Sequence, residues 1–307
     1  MATTRIEWAD RVWNPVTGCS KCSDACDNCY AERMSKRLAG RCGYPTLDPF
    51  KVTWHQDRLF EPISWNKPSR VFVCSMADLF HSDVRDEWIL CIFAVMALSP
   101  RQTFLLLTKR PERAHEFLCL ENLQDSIIEV AGSRFGVDGA NRVRAAFNGG
   151  SALPNVWLGT TIWDQASADR SVPFLLSTPA AKRFVSIEPM LGPVDLRDGL
   201  GLMCSPGDLD WIICGGETGP GARPMHPDWP RRLRDDSVAS GVPFFFKQHG
   251  AWVGLEADDG EWPTDGETCI RLTQEGRRAD DGYPMQRVGK TFAGRELDGR
   301  TWEEMPA

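Results

Sequence analysis

The chain has no long apolar run, no excess of positive charge and little histidine or tyrosine. Its longest apolar stretch, residues 88–98, is 11 residues, about half of the ~20 needed to cross a bilayer, so a membrane is not an expected partner. Residues 1–15 (MATTRIEWADRVWNP) are polar and Trp-rich, without a signal-like apolar core. The expected location is therefore cytoplasmic, where thiols stay reduced. Lys and Arg number 35 against 42 Asp and Glu, a net charge of −7, so no global basic field draws nucleic acid; a local basic patch is still compatible. The five histidines, His55, His81, His115, His226 and His249, form no H-E-x-x-H spacing and no Ser/His/Asp arrangement. Each reads as a solvated or capping residue, with His81, directly after Asp78-Leu79-Phe80, the least ordinary. No internal repeat is found. With 42% hydrophobic and 25% charged residues over 307 positions, disordered and fibrous classes are excluded. The length suits two domains or one α/β barrel with insertions.

What the chain does have is cysteine: 11 of them. Seven are scattered, at 42, 74, 91, 119, 204, 214 and 269, and Cys74, Cys91 and Cys214 lie in apolar runs, where a small buried hydrophobe is the natural reading. The other four, Cys19, Cys22, Cys26 and Cys29, fall within eleven residues. That cluster calls for a chemical explanation.

Six short apolar runs end in polar residues: 71–75 (VFVCS), 104–109 (FLLLTK), 156–161 (VWLGTT), 184–188 (FVSIE), 211–217 (WIICGGE) and 244–248 (FFFKQ). Near-continuous apolar runs suit parallel strands buried on both faces. Their starts are 33, 52, 28, 27 and 33 residues apart, and about 30 residues make one β-plus-α unit. Another strand is predicted near 13–16. Helices are predicted over 86–98, stopping before Pro100, and over 228–240, ending at Gly241. The wide gap holds an insertion at about 121–150, read as a helix pair and a Gly-rich loop. Together these predict a full or partial (β/α) TIM-type barrel over 1–250, with a doubly wound sheet as the runner-up. Residues 251–307 read as a terminal cover segment packed on the barrel.

Four closely spaced thiols favour a soft metal. Zinc ribbons separate their C-x2-C pairs by a dozen or more residues, whereas these pairs are three residues apart. One compact loop around an iron–sulfur cluster fits better. Cys22, Cys26 and Cys29 spell C-x3-C-x2-C; Cys19, Cys26 and Cys29 spell C-x6-C-x2-C. Three thiolates on a four-iron cluster leave one iron open, which is a catalytic arrangement.

The C-x3-C-x2-C spelling, with Tyr30 after the last cysteine, resembles the radical S-adenosylmethionine (SAM) enzymes. More closely, the chain resembles the phage gene-product-37/68, or three-Cys-motif, family of radical-SAM-like proteins. The matching stretches are 13–19 (WNPVTGC), 26–32 (CDNCYAE), 75–80 (SMADLF), 107–113 (LTKRPER), 186–192 (SIEPMLG), 215–224 (GGETGPGARP), 245–248 (FFKQ) and 298–302 (DGRTW). The resemblance implies a barrel of radical-SAM type and a [4Fe–4S] cluster on Cys19, Cys26 and Cys29, with Cys22 as an alternative first ligand. Asn28 departs from the commonest radical-SAM pattern, which has an aromatic there, so packing against adenine is expected to differ.

In barrel enzymes the site lies at the carboxyl ends of the strands. Here those ends carry Ser75 and Asp78, Thr108 to Arg110, Thr160 and Thr161, Ser186 and Glu188, Glu217 and Arg223, and Lys247 and Gln248. If SAM binds as the resemblance implies, Lys109 and then Arg110 suit its carboxylate and Ser75 its amine. Glu188, Ser186 and Thr161 suit its ribose, and Asp78 joins these cofactor-binding candidates. Lys109, Arg110, Arg113, Arg183, Arg223 and Lys247 could form a positive mouth, with Trp163 and Trp252 placed to touch ligand. The expected function is cleavage of SAM to a 5′-deoxyadenosyl radical that takes hydrogen from a substrate. That substrate is expected to be anionic, a nucleic-acid lesion or modified nucleotide, by analogy with photoproduct lyases, whose loop also ends in Cys-Tyr. An electron donor and a partner protein are the other expected partners. The alternative is a nucleic-acid- or partner-binding protein with structural zinc or a closed cluster on all four cysteines.

Overall fold

The computed structural model describes residue 4 and residues 6–197, 209–255 and 267–307; Cys204 lies outside them. Packing divides the chain into two units, one of Met1–Cys22, Cys29–Thr160 and Phe174–Arg183, the other of Ser23–Asn28, Thr161–Pro173 and Phe184–Ala307. Helix α5 (Gln165–Ser177) and strand β7 (Lys182–Ile187) have residues in both.

The first unit opens with β1 (Arg11–Trp13), β2 (Val16–Thr17), α1 (Tyr30–Leu38), β3 (Thr53–Trp54) and β4 (Ser69–Val73). It continues with α2 (Asp86–Ala97), β5 (Gln102–Thr108), α3 (Pro111–Leu118), α4 (Leu123–Ala146) and β6 (Val156–Ile162), which belongs here as far as Thr160. Strands β1, β4, β5 and β6 are parallel neighbours in that order. Buried Leu105 and Leu106 next to each other in β5 mark a strand covered on both faces. Trp13 is wholly buried, its indole donates to Arg58 O at 2.9 Å, and its ring meets Phe104 at 5.7 Å. The insertion is helical over Leu123–Ala146 with one break at Gly136 (φ 70°, ψ −171°), a backbone state that only glycine adopts cheaply.

The second unit continues with β7, β8 (Trp211–Gly215), α6 (Asp228–Ser240) and β9 (Phe244–Gln248). Again the strands are parallel and in chain order. Helix α6 ends where its sequence requires, at Gly241 in the left-handed conformation (φ 69°), which donates back to Val238 O. The chain is thus mixed α/β with parallel strands joined through helices. Within each unit the strand order follows the chain, which is compatible with a partial β/α barrel.

The terminal segment contributes β10 (Trp252–Gly254), β11 (Cys269–Leu272) and β12 (Tyr283–Arg287), an antiparallel sheet in the order β10-β12-β11. Helix α7 (Lys290–Ala293) and the hairpin β13 (Glu296–Leu297) and β14 (Arg300–Thr301) follow. The hairpin turns on Asp298 and Gly299, both at positive φ, the two-residue turn that matches strand twist. Beyond it the chain runs antiparallel beside β9: Phe246 N–H donates to Trp302 O at 2.9 Å and Glu304 N–H to Phe244 O at 3.2 Å. Buried Trp211 also donates to Glu304 O, at 2.8 Å. The segment therefore covers the β9 edge, which would otherwise present unpaired backbone groups.

One buried histidine makes stability pH-dependent. His55 is 5% exposed and its Nε2 pairs with Thr17 Oγ1 at 2.7 Å. Burial, aided by the Arg58 cation, pushes it from its usual 6.5 down to about 4. An unfolded chain takes up that proton near 6.5 and the folded chain only near 4, so folding stability is expected to fall as pH drops through this window. Above the window this residue contributes no slope. Urea midpoints measured across the window should slope for the native chain and less for His55→Gln; equal slopes would refute the assignment.

Candidate metal centre and strand-end site

In the first unit the cysteine loop starts where β2 ends. Gly18 (φ +89°) carries the chain past residue 51, and a Cβ there would sit 2.1 Å from Lys51 O, so no other residue fits. Gly18 N–H donates to Met76 O and Cys19 N–H to Phe50 O, both at 2.9 Å. Asn14, just past β1, accepts the Met76 N–H at 3.1 Å and shares a 3.2 Å bond with Ser75 Oγ. The backbone at Cys19 is thereby tied to the turn after β4.

That turn carries Asp78, 6% exposed. Its Oδ1 accepts the Thr108 hydroxyl at 2.7 Å and Phe80 N–H at 3.0 Å. Its Oδ2 accepts Lys109 N–H at 2.9 Å and Arg110 at 3.2 Å. Arg110 in turn reaches the loop: it donates to Cys19 Sγ at 3.5 Å, Ser20 O at 3.0 Å and Ser20 Oγ at 3.3 Å. Burial pushes the Cys19 thiol up, Asp78 adds to this, and Arg110 opposes it. Ser20 Oγ also meets His81 Nε2 at 2.7 Å. Because Asp83 N–H donates to His81 Nδ1 at 3.0 Å, the ring proton sits on Nε2 and points at Ser20. Burial, then Arg110, pushes His81 below its ordinary value. Cys22 is exposed, 4.0 Å from Lys109 O. Cys29 is half-buried at the N-cap of α1, with no side-chain capping bond.

In the second unit Cys26 is buried in a tight turn, its sulfur 3.4 Å from Ser23 Oγ. Residues 23–28 are bound to the glycine-rich loop after β8. Arg223 makes a two-pronged pair with Glu217 (2.7 and 2.9 Å), donates to Asp24 O at 2.8 Å and lies 3.5 Å from Asp27. Asn28 donates to Glu217 Oε2 and Gly221 O, both at 3.0 Å. Burial works against the Glu217 charge, but the Arg223 and Asn28 donors prevail and hold it below its ordinary value. Asn28 therefore ties residues 23–28 to the loop after β8. Asn14 and Ser20 are not legible as site residues in the sequence, since nothing in their spacing marks them.

Also in the second unit, Glu188 Oε1 accepts Lys247 Nζ at 2.6 Å and Gln248 Nε2 at 3.4 Å. Thr161 and Ser186 are buried. Gln248 Oε1 is buried without a partner, an acceptor that a ligand N–H or O–H would satisfy. The expected positive mouth is largely matched in place: Arg110 by Asp78, Arg113 by Asp86, Arg223 by Glu217 and Lys247 by Glu188, while Arg183 donates to backbone oxygens. Trp163 and Trp252, expected at a ligand, are 8% and 4% exposed, and Trp252 donates to Ala222 O at 2.7 Å; both serve the core.

Among the described residues, no three His, Cys, Asp or Glu side chains are gathered as a metal-holding group. The fit of an iron–sulfur cluster rests on donor chemistry. Cys19, Cys26 and Cys29 are in no disulfide, their sulfurs are soft donors, and a cationic N–H already faces the Cys19 sulfur. A family model described as protein of unknown function (DUF5131) matches residues 3–306. No curated protein and no solved structure matches the chain.

Proposed function

The chain belongs to the DUF5131 family, and we propose that it is a radical-SAM enzyme of the phage gene-product-37/68 type on a partial β/α barrel. One observation carries this reading above the others: Arg110, just past the carboxyl end of β5, donates to the sulfur of Cys19. The strand-end residues of a parallel sheet thus meet the cysteine loop, where barrel enzymes place their chemistry. Cys19, Cys26 and Cys29 would hold a [4Fe–4S] cluster. When bound and reduced, such a cluster supplies the electron that splits SAM and yields a 5′-deoxyadenosyl radical able to take hydrogen from a substrate.

The chain's own residues hold and orient. Gly18, Asn14 and Ser75 fix where the loop starts, and Glu217 with Arg223 and Asn28 fix its later half. Ser75 and Lys109, and in the second unit Thr161, Ser186 and Glu188, are the candidates for binding SAM. Asp78 has both oxygens occupied by donors of the chain, which fits a positioning role better than contact with SAM. The substrate we attach to this reading is a modified nucleotide or nucleic-acid lesion.

Anaerobic reconstitution with iron and sulfide, reduction, and addition of SAM test it. The expected result is iron–sulfur absorbance followed by release of 5′-deoxyadenosine. A chain that takes up no cluster, or a cluster that leaves SAM intact, would sink the proposal. Irradiated DNA in the same assay tests the substrate class, and unchanged photoproducts would remove the repair version.

A further inference from the structure

Among the described residues, every hydrogen bond made by the Arg110 guanidinium goes either to the cysteine loop or to the carboxylate that positions it. One terminal nitrogen contacts Asp78 Oδ2 at 3.2 Å and Cys19 Sγ at 3.5 Å. The other contacts Ser20 O at 3.0 Å and Ser20 Oγ at 3.3 Å. The backbone before it is held as well, because Arg110 N–H donates to Thr108 Oγ1 at 2.9 Å while that hydroxyl donates to Asp78. The side chain is only 16% exposed. A guanidinium arranged this way does not present a free fork to a carboxylate ligand, the role its position in the sequence suggests.

We infer that Arg110 is a positioning residue that donates a hydrogen bond to the Cys19 sulfur and thereby raises the reduction potential of the cluster that this sulfur ligates. The inference rests on the radical-SAM reading. Its physical basis is that N–H donation to a ligand sulfur withdraws electron density and offsets the charge gained on reduction. Arginine suits the task because its planar fork serves sulfur, carboxylate and carbonyl at once, which a lysine ammonium on a flexible stem does not.

Anaerobically reconstituted protein, iron-quantified and titrated with a reductant under electron paramagnetic resonance, measures the midpoint. Arg110→Gln is expected to load iron like the native chain and to move the midpoint to more negative values. Arg110→Lys, which keeps the charge without the fork, is expected to fall between them. A native midpoint in a fully loaded Arg110→Gln chain overturns the role of Arg110 and leaves the radical-SAM reading standing. If Arg110→Gln does not fold, a native midpoint in Arg110→Lys overturns it equally. A native chain that takes up no iron overturns both.

Discussion

Replacing Cys19, Cys26 or Cys29 with alanine is expected to reduce bound iron from about four atoms per chain to near none. Cys22→Ala is expected to keep it. The difference follows from where the thiols sit. Cys26 is buried and Cys19 and Cys29 half-buried, whereas Cys22 is exposed. Cys19 is fixed from two directions, by the backbone bond to Phe50 and by Arg110. Cys29 makes no side-chain capping bond to α1, and the Cys26 sulfur lies 3.4 Å from Ser23 Oγ. Loss of iron is expected without loss of fold, which far-ultraviolet circular dichroism would establish beside the metal analysis. The opposite pattern, with Cys22→Ala as damaging as the others, would mean a four-thiolate site. Zinc or a closed cluster would then replace catalysis by a structural role.

Asp78→Ala is expected to cost about 3–5 kcal/mol of folding stability, the range for removing one partner of a buried ion pair. The carboxylate is 8% exposed and the paired Arg110 16%. Its removal takes the counter-charge from that guanidinium and leaves the Thr108 hydroxyl and the N–H groups of Phe80 and Lys109 without their acceptor. Each buried polar group left unpaired costs about 1–3 kcal/mol. Asp78→Asn keeps an acceptor and much of the shape, so a smaller loss is expected. Equilibrium unfolding in denaturant, with unchanged slope, measures both. A loss below about 1 kcal/mol in Asp78→Ala would show that water or a neighbour takes over these donors. Such an outcome would also weaken the placement of Arg110 against Cys19, since Asp78 holds it there.

Much of the architecture is legible in the order of residues alone. The six apolar runs are β4 to β9, and α6 covers the span its sequence predicts, ending at Gly241. These features are local: burial periodicity, strand length and end residues are written in consecutive positions. The thiol cluster is equally legible, because eleven residues contain it. Polar residues at strand ends are legible as a set, but their roles are not. Asp78 and Arg110 both look like ligands for a cofactor in the sequence, and they are partners of each other in the fold. The two tryptophans expected at the rim belong to the core.

The sequence by itself determined the α/β class, the rhythm of strands and helices, and four soft donors in one loop. Only the tertiary structure decided which polar groups meet. Arg110 and Cys19 are 91 residues apart, and Asn28 and Glu217 are 189 apart. Periodicity records which face of an element is buried, whereas a hydrogen bond depends on distance and direction between elements to within a few tenths of an ångström. That geometry exists once strands are in register, and it separates the thiol whose sulfur is held by a cation from the one left exposed.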